Sequence, residues 1–383
     1  MTEKKIQPFR KLGAVLPCAV FCLMLFAMLL LLLFLPKEDY SQLEKRYLAA
    51  APEWDLRSVL SGRFAEQAEA YIADHLPGRL FLLGLNAKAE RAVGRQPTKS
   101  IYVGKSGRLY EAPCRCDTAI IERNMEAINT FAALTDAPVH LMLVPSAGYI
   151  LRRDIPAFHA PYLDDGIIRA SYALGQETLE TVDLLTAFDR AEEKESFYYR
   201  TDHHWTSEGA YCAYRLYAQA VGRPVKPREV FSVTTVPGFL GTTYSRSALW
   251  DTPAESIALW KSATPFLVEN SEAEGRHEGL FYEDALSDPD KYPVFLDGNH
   301  ALLRVHNGSA AASGRLLVIR DSFASCLGCF LAEAYEEVVM VDLRYYKAPV
   351  ADLLADGDFD EILILYSVGN FMTDSNITRL AGY

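Results

Sequence analysis

The sequence predicts an α/β fold in which a mostly parallel sheet is flanked by helices, with an irregular insertion and one N-terminal transmembrane helix. Three observations predict it. Short apolar runs at Val139–Val144, Arg315–Ile319, Val338–Val341 and Glu361–Tyr366 are spaced by helix-like segments. That is the pattern of strands buried on both faces and joined by right-handed crossovers. A charge-free run, Leu12–Leu35, follows Lys4, Lys5, Arg10 and Lys11. Between 222 and 313 neither period holds, and Pro, Gly and aromatic residues separate short β-like pieces.

Residues 1–11 are the basic flank, and residues 12–35 are read as a signal-anchor helix. At about 1.5 Å per residue that run can cross a hydrocarbon core of about 30 Å. The flank is expected to stay in the cytoplasm and the remainder to lie outside the cell membrane. A cleaved signal peptide is the competing reading, but its apolar core is shorter and no small-x-small site follows promptly. Pro36 and Pro52 mark a juxtamembrane connector over 36–60, ahead of one extracytoplasmic domain over 61–383. Phe64, Ala68, Tyr71, Ile72 and His75 recur at helical spacing, and Pro77-Gly78 splits Leu56–Val93 into two helices. Ser100–Gly104 and Arg108–Tyr110 predict a hairpin around Lys105-Ser106-Gly107. An amphipathic helix over 117–136 precedes the first buried strand, and Pro145–Gly148 is the loop after it. Further helix is expected over Asp164–Leu174 and Glu177–Val182, then a short strand around Thr181–Leu185 and a helix over Ser207–Val221. The insertion at about 222–313, with β-like pieces at Ile257–Leu259, Phe266–Val268 and Ala301–Val305, is read as an excursion covering one face. Strands then alternate with helices over Ala324–Tyr335 and 349–356. A parallel arrangement carries the loops holding Ser322, Arg344 and Asn370 to one sheet edge, where open α/β sheets bind ligands.

The net charge of −12 and the absence of a clustered Lys/Arg run exclude nucleic acid as a partner. Cys18 and Cys22 lie in the span as apolar filler. Cys326-Leu327-Gly328-Cys329 has redox-motif spacing but sits on a helix, so structural disulfides or buried thiols are the expectation.

Chemistry concentrates in Thr201-Asp202-His203-His204-Trp205-Thr206. A carboxylate two positions before a histidine can hold one ring nitrogen while the other takes a proton from a nucleophile. The same stretch also suits a helix start, with Thr206 or Ser207 as N-cap. Ser322 lies on a strand-to-helix turn, which exposes its hydroxyl and aims its own amide outward; helix capping is the alternative. A metal site built on Asp202, His203 and His204 is disfavoured, because adjacent residues of an extended strand point to opposite faces. No metal or other cofactor is expected.

Asp202-His203-His204-Trp205 and Asp321-Ser322-Phe323 resemble the DHHW family, an SGNH-hydrolase-like group related to the alginate O-acetylation proteins. Tyr102–Lys105, Leu109-Tyr110, Val144–Ser146, Gly241–Ser245 and Asp342–Tyr346 extend the resemblance to roughly 40–383. The resemblance implies an SGNH-hydrolase-like fold, with Ser322 as nucleophile, His204 as base and Asp202 as orienting acid. His203 stands where relatives often carry threonine, and Arg320 where a glycine is common, which is expected to alter the turn. Arg344 and Asn370 are candidates for holding an oxyanion or the glycan, and Trp205 and Tyr345 for stacking on sugar rings. Ser146 is a helper without an assigned step. The implied activity is O-acetyl transfer to, or hydrolysis from, a cell-surface or exported polysaccharide, with a polytopic membrane acyltransferase as acetyl supplier. The competing class is a non-catalytic envelope module that binds glycan or a partner.

Overall fold

The computed structural model describes residues 6–382 apart from Phe158, Thr178 and Asp356, with side chains from Val15 onward. The chain forms two compact units, Met1–Pro97 with Ala248–Trp250, and Thr98–Ser247 with Asp251–Tyr383.

In the first unit, α1 (Ile6–Phe34) contains Val15–Phe34, 20 residues of mean hydropathy 2.9 with none buried. It is long and apolar enough to cross a membrane, a form shared by single-pass anchors and signal sequences. The first five residues of the basic flank lie outside the described residues. The connector is folded. A hairpin of β1 (Tyr40–Ser41) and β2 (Arg46–Tyr47) precedes α2 (Leu56–Leu60), which Asp55 caps. Arg46 of this hairpin donates to Asp74 of α3 (Arg63–His75) at 2.8 Å. Gly78, at φ 73°, turns the chain into α4 (Arg79–Ala92). Few side chains on α3 and α4 are buried.

The second unit opens with the hairpin β3 (Ile101–Val103) and β4 (Leu109–Glu111), then α5 (Thr118–Ala132). The buried strand β5 (Val139–Val144) leads into α6 (Ala147–Ile150) and α7 (Asp164–Ala173). Among the described residues, Glu177–Val182 holds no helix. It contains β6 (Leu179–Thr181), and the expected strand over Thr181–Leu185 gives way to α8 (Leu184–Arg190). Asp183 accepts the Thr186 amide at 3.0 Å and starts that helix, burying Leu184, Leu185 and Phe188 on one face.

Helix α9 (Ser207–Ala220) follows the acid–histidine stretch. The next residues form β7 (Ser232–Phe239), α10 (Thr242–Ser245), β8 (Glu255–Lys261), β9 (Phe266–Asn270), β10 (Arg276–Glu278) and β11 (Leu302–Asn307). The chain ends in β12 (Arg315–Arg320), α11 (Ala324–Leu331), β13 (Glu337–Val341), α12 (Val350–Ala355), β14 (Glu361–Ser367) and α13 (Val368–Phe371).

One sheet runs in the order β10-β9-β11-β13-β12-β14-β5-β6. The five strands from β13 to β6 are parallel to their neighbours, whereas β10, β9 and β11 join antiparallel. The insertion therefore does not simply cover a face. Part of it lengthens the sheet past β13, and only β7 and β8 form a separate ribbon. The parallel strands β12, β14 and β5 are almost wholly buried, as their unbroken apolar runs require. All seven cysteines are free thiols, and Cys326 and Cys329 are buried in α11.

Candidate active site

The Asp202–His204 stretch is not an extended strand. It is a tight bend whose ends meet, with the Tyr199 amide donating to the His204 carbonyl at 3.2 Å and Tyr198 bridging to Trp205. Three anchors hold the bend. Buried Arg108 donates to the Tyr198 and Tyr199 carbonyls at 2.6 and 2.8 Å. Glu255 accepts the Arg200 and Thr201 amides at 2.9 and 2.6 Å. Thr206 caps α9 through the Gly209 amide, and a β-carbon on Gly209 would lie 2.4 Å from the Phe197 carbonyl oxygen. Gly209 therefore lets the helix start pack directly on the chain entering the bend.

The bend places both imidazoles on one side, their ring centroids 3.9 Å apart. This corrects the opposite-face argument, which presumed a strand. His204 Nδ1 lies 2.6 Å from Asp202 Oδ1, and Nε2 lies 2.7 Å from Ser322 Oγ, 118 residues away in sequence. Asp202 has no acceptor capacity to spare. Its Oδ1 also accepts the His204 amide at 2.9 Å, and Oδ2 accepts the Thr242 amide and hydroxyl, both at 2.7 Å. A β-carbon on Gly241 would sit 2.2 Å from Asp202 Cβ, so this close approach requires glycine. His203 Nδ1 pairs with Thr242 Oγ1 at 2.8 Å. The ligand atoms of Asp202, His203 and His204 lie within 4.8 Å of one another, but each ring nitrogen of His204 already has a partner.

Burial holds His204 below the ordinary histidine pKa, and His203 adds to this against the pull of Asp202. Burial also opposes the charge on Asp202, yet the imidazoles and hydrogen bonds outweigh it and hold the carboxyl well below its usual range. The resting pair is a carboxylate beside a neutral imidazole, which is the state able to accept a proton. Tyr292 stacks on His204 with centroids 3.9 Å apart and planes 8° apart, fixing the ring.

Ser322 follows β12 on a turn organised by Asp321. That buried carboxylate accepts the Phe323 amide at 3.0 Å, the Ser367 amide at 2.7 Å and Asn370 Nδ2 at 2.8 Å. Helix α11 begins without a side-chain cap, so Ser322 does not serve as one. Among the described residues the Ser322 amide has no protein acceptor. Arg320 ends β12, and its side chain turns to the neighbouring loop, donating to the Gly298 carbonyl.

Ser322, His203, His204, Arg344 and Asn370 share a cleft of about 530 Å³. Arg344 is held by the buried Asp342, with Nε 2.9 Å from Oδ1. Asn370 spends one amide hydrogen on Asp321. Trp205 is fully buried and donates from Nε1 to the Phe323 carbonyl at 3.0 Å. It cannot present a face to a sugar and instead pins the bend to the Ser322 turn. Tyr345 is 49% exposed beside Arg344. Ser146 bonds Asp164 at 2.7 Å and caps α6, outside the cleft lining. Sequence reasoning missed Tyr292, Asp321 and the support from Thr242. Asp321 and Gly241-Thr242, each part of a quoted motif, carried a readable signal, and Tyr292 carried none.

Two family descriptions match: "DHHW protein" over residues 182–341, and "SGNH hydrolase-like domain, acetyltransferase AlgX" over 109–247. A DHHW family protein from Eubacterium siraeum is similar at 19% identity and TM-score 0.60, covering 74% of this chain and 95% of its own. Bacillus cereus PatB1 is similar at 20% identity and TM-score 0.62, covering 72% of this chain and 98% of its own. The same protein solved with a sulfonyl adduct gives 20% identity and TM-score 0.61, with 72% and 99% covered. No curated protein matches. The matches relate the chain to an acetyltransferase group, and the similar structures share its fold. Over residues 182–341 the chain is similar to the DHHW family, and its fold is SGNH-hydrolase-like.

Proposed function

We propose that the chain is a membrane-anchored extracytoplasmic serine acyltransferase or esterase that O-acetylates, or deacetylates, a cell-surface or exported polysaccharide. The supporting observation is the hydrogen-bonded relay Asp202–His204–Ser322, with both links at 2.7 Å or less. His204 takes the Ser322 proton as Oγ attacks an acetyl carbonyl. The Ser322 amide and the second Asn370 amide hydrogen are assigned to holding the oxyanion. The acyl-serine then passes its acetyl group to a sugar hydroxyl or to water. Arg344 and exposed Tyr345 are assigned to holding the glycan. The similarity to an acetyltransferase domain supports the reaction class. The apolar α1 supports anchoring, and an outward acetyl supply calls for a polytopic membrane acyltransferase as partner. In the test, purified protein receives an activated aryl acetate and acetate release is followed with intact mass. Ser322→Ala and His204→Ala are expected to lose turnover and the acetyl adduct while staying folded. Turnover near wild type in either variant overturns the reading.

A further inference from the structure

The cleft wall beside the Ser322 turn is built from a backbone that costs energy to hold. Leu296, Asp297 and Gly298 are consecutive left-handed residues, at φ 52°, 60° and 79°. Non-glycine residues in that region persist only where surroundings over-determine them, and they cluster at functional sites. The surroundings here are specific. The Leu296 side chain is fully buried. His300 Nε2 lies 3.0 Å from the Asp297 carboxylate. Arg320, fully buried on β12, donates to the Gly298 carbonyl at 3.1 Å and to Asn299 Oδ1 at 3.3 Å, while Ser325 Oγ reinforces Gly298 at 3.1 Å. A guanidinium carries donors only, so it fixes which end of the Asn299 amide faces it. The oxygen is spent on Arg320, and the two-hydrogen end is left for the cleft that Asn299 lines with Ser322.

We propose that Asp297–Asn299 is the acceptor subsite for an uncharged, hydroxyl-rich glycan, with Asn299 Nδ2 donating to a sugar oxygen and Arg320 as its positioning residue. This rests on the acyl-serine reading above. Asn299 is exposed at the rim, which suits an incoming sugar better than an oxyanion. The charge of the cleft bears on the class: both of its arginines sit beside carboxylates, Arg246 beside Glu111 and Arg344 beside Asp342, so the lining carries no excess of positive charge. A neutral, hydroxyl-rich chain fits such a lining without needing an added counter-charge, whereas a uronate would compete with Glu111 and Asp342 for the same arginines. In the transfer step the ester bond between Ser322 Oγ and the acetyl carbon breaks and a sugar oxygen–acetyl bond forms. The sugar hydroxyl's proton passes through His204 to Ser322 Oγ.

The test loads the full-length protein with an aryl acetate and offers neutral gluco- or galacto-oligosaccharides, or oligouronates. The readout is the ratio of sugar acetyl ester to free acetate, which does not depend on how fast the acyl-enzyme forms. Asn299→Asp keeps, and strengthens, the acceptor for Arg320 but removes the donor, so it separates binding from mere support of the loop. The expected result is transfer to neutral sugars over uronates, with the ratio falling at least about tenfold in both Asn299→Asp and Asn299→Ala. A wild-type ratio in Asn299→Asp, a preference for uronates, or no transfer to any neutral sugar from a demonstrated acyl-Ser322 overturns the inference. Absence of acyl-Ser322 in the wild type instead overturns the underlying function.

Discussion

Asp202→Asn exchanges one oxygen for an amide nitrogen and leaves the shape of the site unchanged. Each carboxylate oxygen accepts two hydrogen bonds, from His204 Nδ1 and N at 2.6 and 2.9 Å and from Thr242 N and Oγ1 at 2.7 Å each. Whichever way the new amide turns, its NH₂ faces a backbone N–H. Facing His204, it also forces Nδ1 to accept, which moves the ring proton to Nε2 and removes the base from Ser322. In a Ser-His-Asp arrangement the wrong tautomer costs about 10⁴-fold in kcat. Facing Thr242, it keeps the tautomer but leaves the imidazolium without its counter-charge. Charges about 4 Å apart at an effective dielectric of about 20 interact by about 4 kcal/mol, or about 10³-fold. The expected loss in the acylation rate is therefore about 10³–10⁴-fold. One buried donor–donor contact should cost about 1–3 kcal/mol of stability, lowering Tm by a few degrees with the fold retained. Stopped-flow release of the aryl leaving group, paired with calorimetry, measures both. Acylation within about tenfold of wild type in a folded Asp202→Asn protein would refute the reasoning.

The remaining predictions concern proton supply and the glycine beneath the acid. His204 lies below the ordinary histidine value, so its neutral, proton-accepting form persists as pH falls and is lost only on protonation. The acid limb of kcat/KM should therefore fall below about pH 6.5, and an acid limb above pH 7 contradicts the burial argument. Gly241→Ala drives a methyl group to 2.2 Å from Asp202 Cβ and should displace the carboxylate. A stability loss of about 1–3 kcal/mol is expected, with acylation down at least about 100-fold. Normal acylation in that variant shows that the Asp202 position is not needed.

Legibility followed the range of the forces involved. Strands β5, β12, β13 and β14 were readable because burial on both faces demands an unbroken apolar run, which is a local property. The membership of β9 and β11 in the same sheet was not, since a strand's sequence does not say which edge it will pair with. Asp183 decided between strand and helix through one side-chain hydrogen bond, a signal as short as the residue itself. Trp205 shows the limit for single residues. An aromatic beside reactive groups reads equally as a stacking platform or as core, and only its burial separates the two.

The sequence by itself determined the apolar N-terminal helix, the alternation of strand and helix that makes the parallel half of the sheet, and the residue types able to move a proton. Those depend on composition and period, which are written along the chain. Tertiary structure alone decided that His204, not His203, reaches Ser322, that Tyr292 and Thr242 hold the pair in place, and that Arg320 braces the loop carrying Asn299. Contacts between segments distant along the chain depend on where packing sets the backbone, to within a fraction of an ångström.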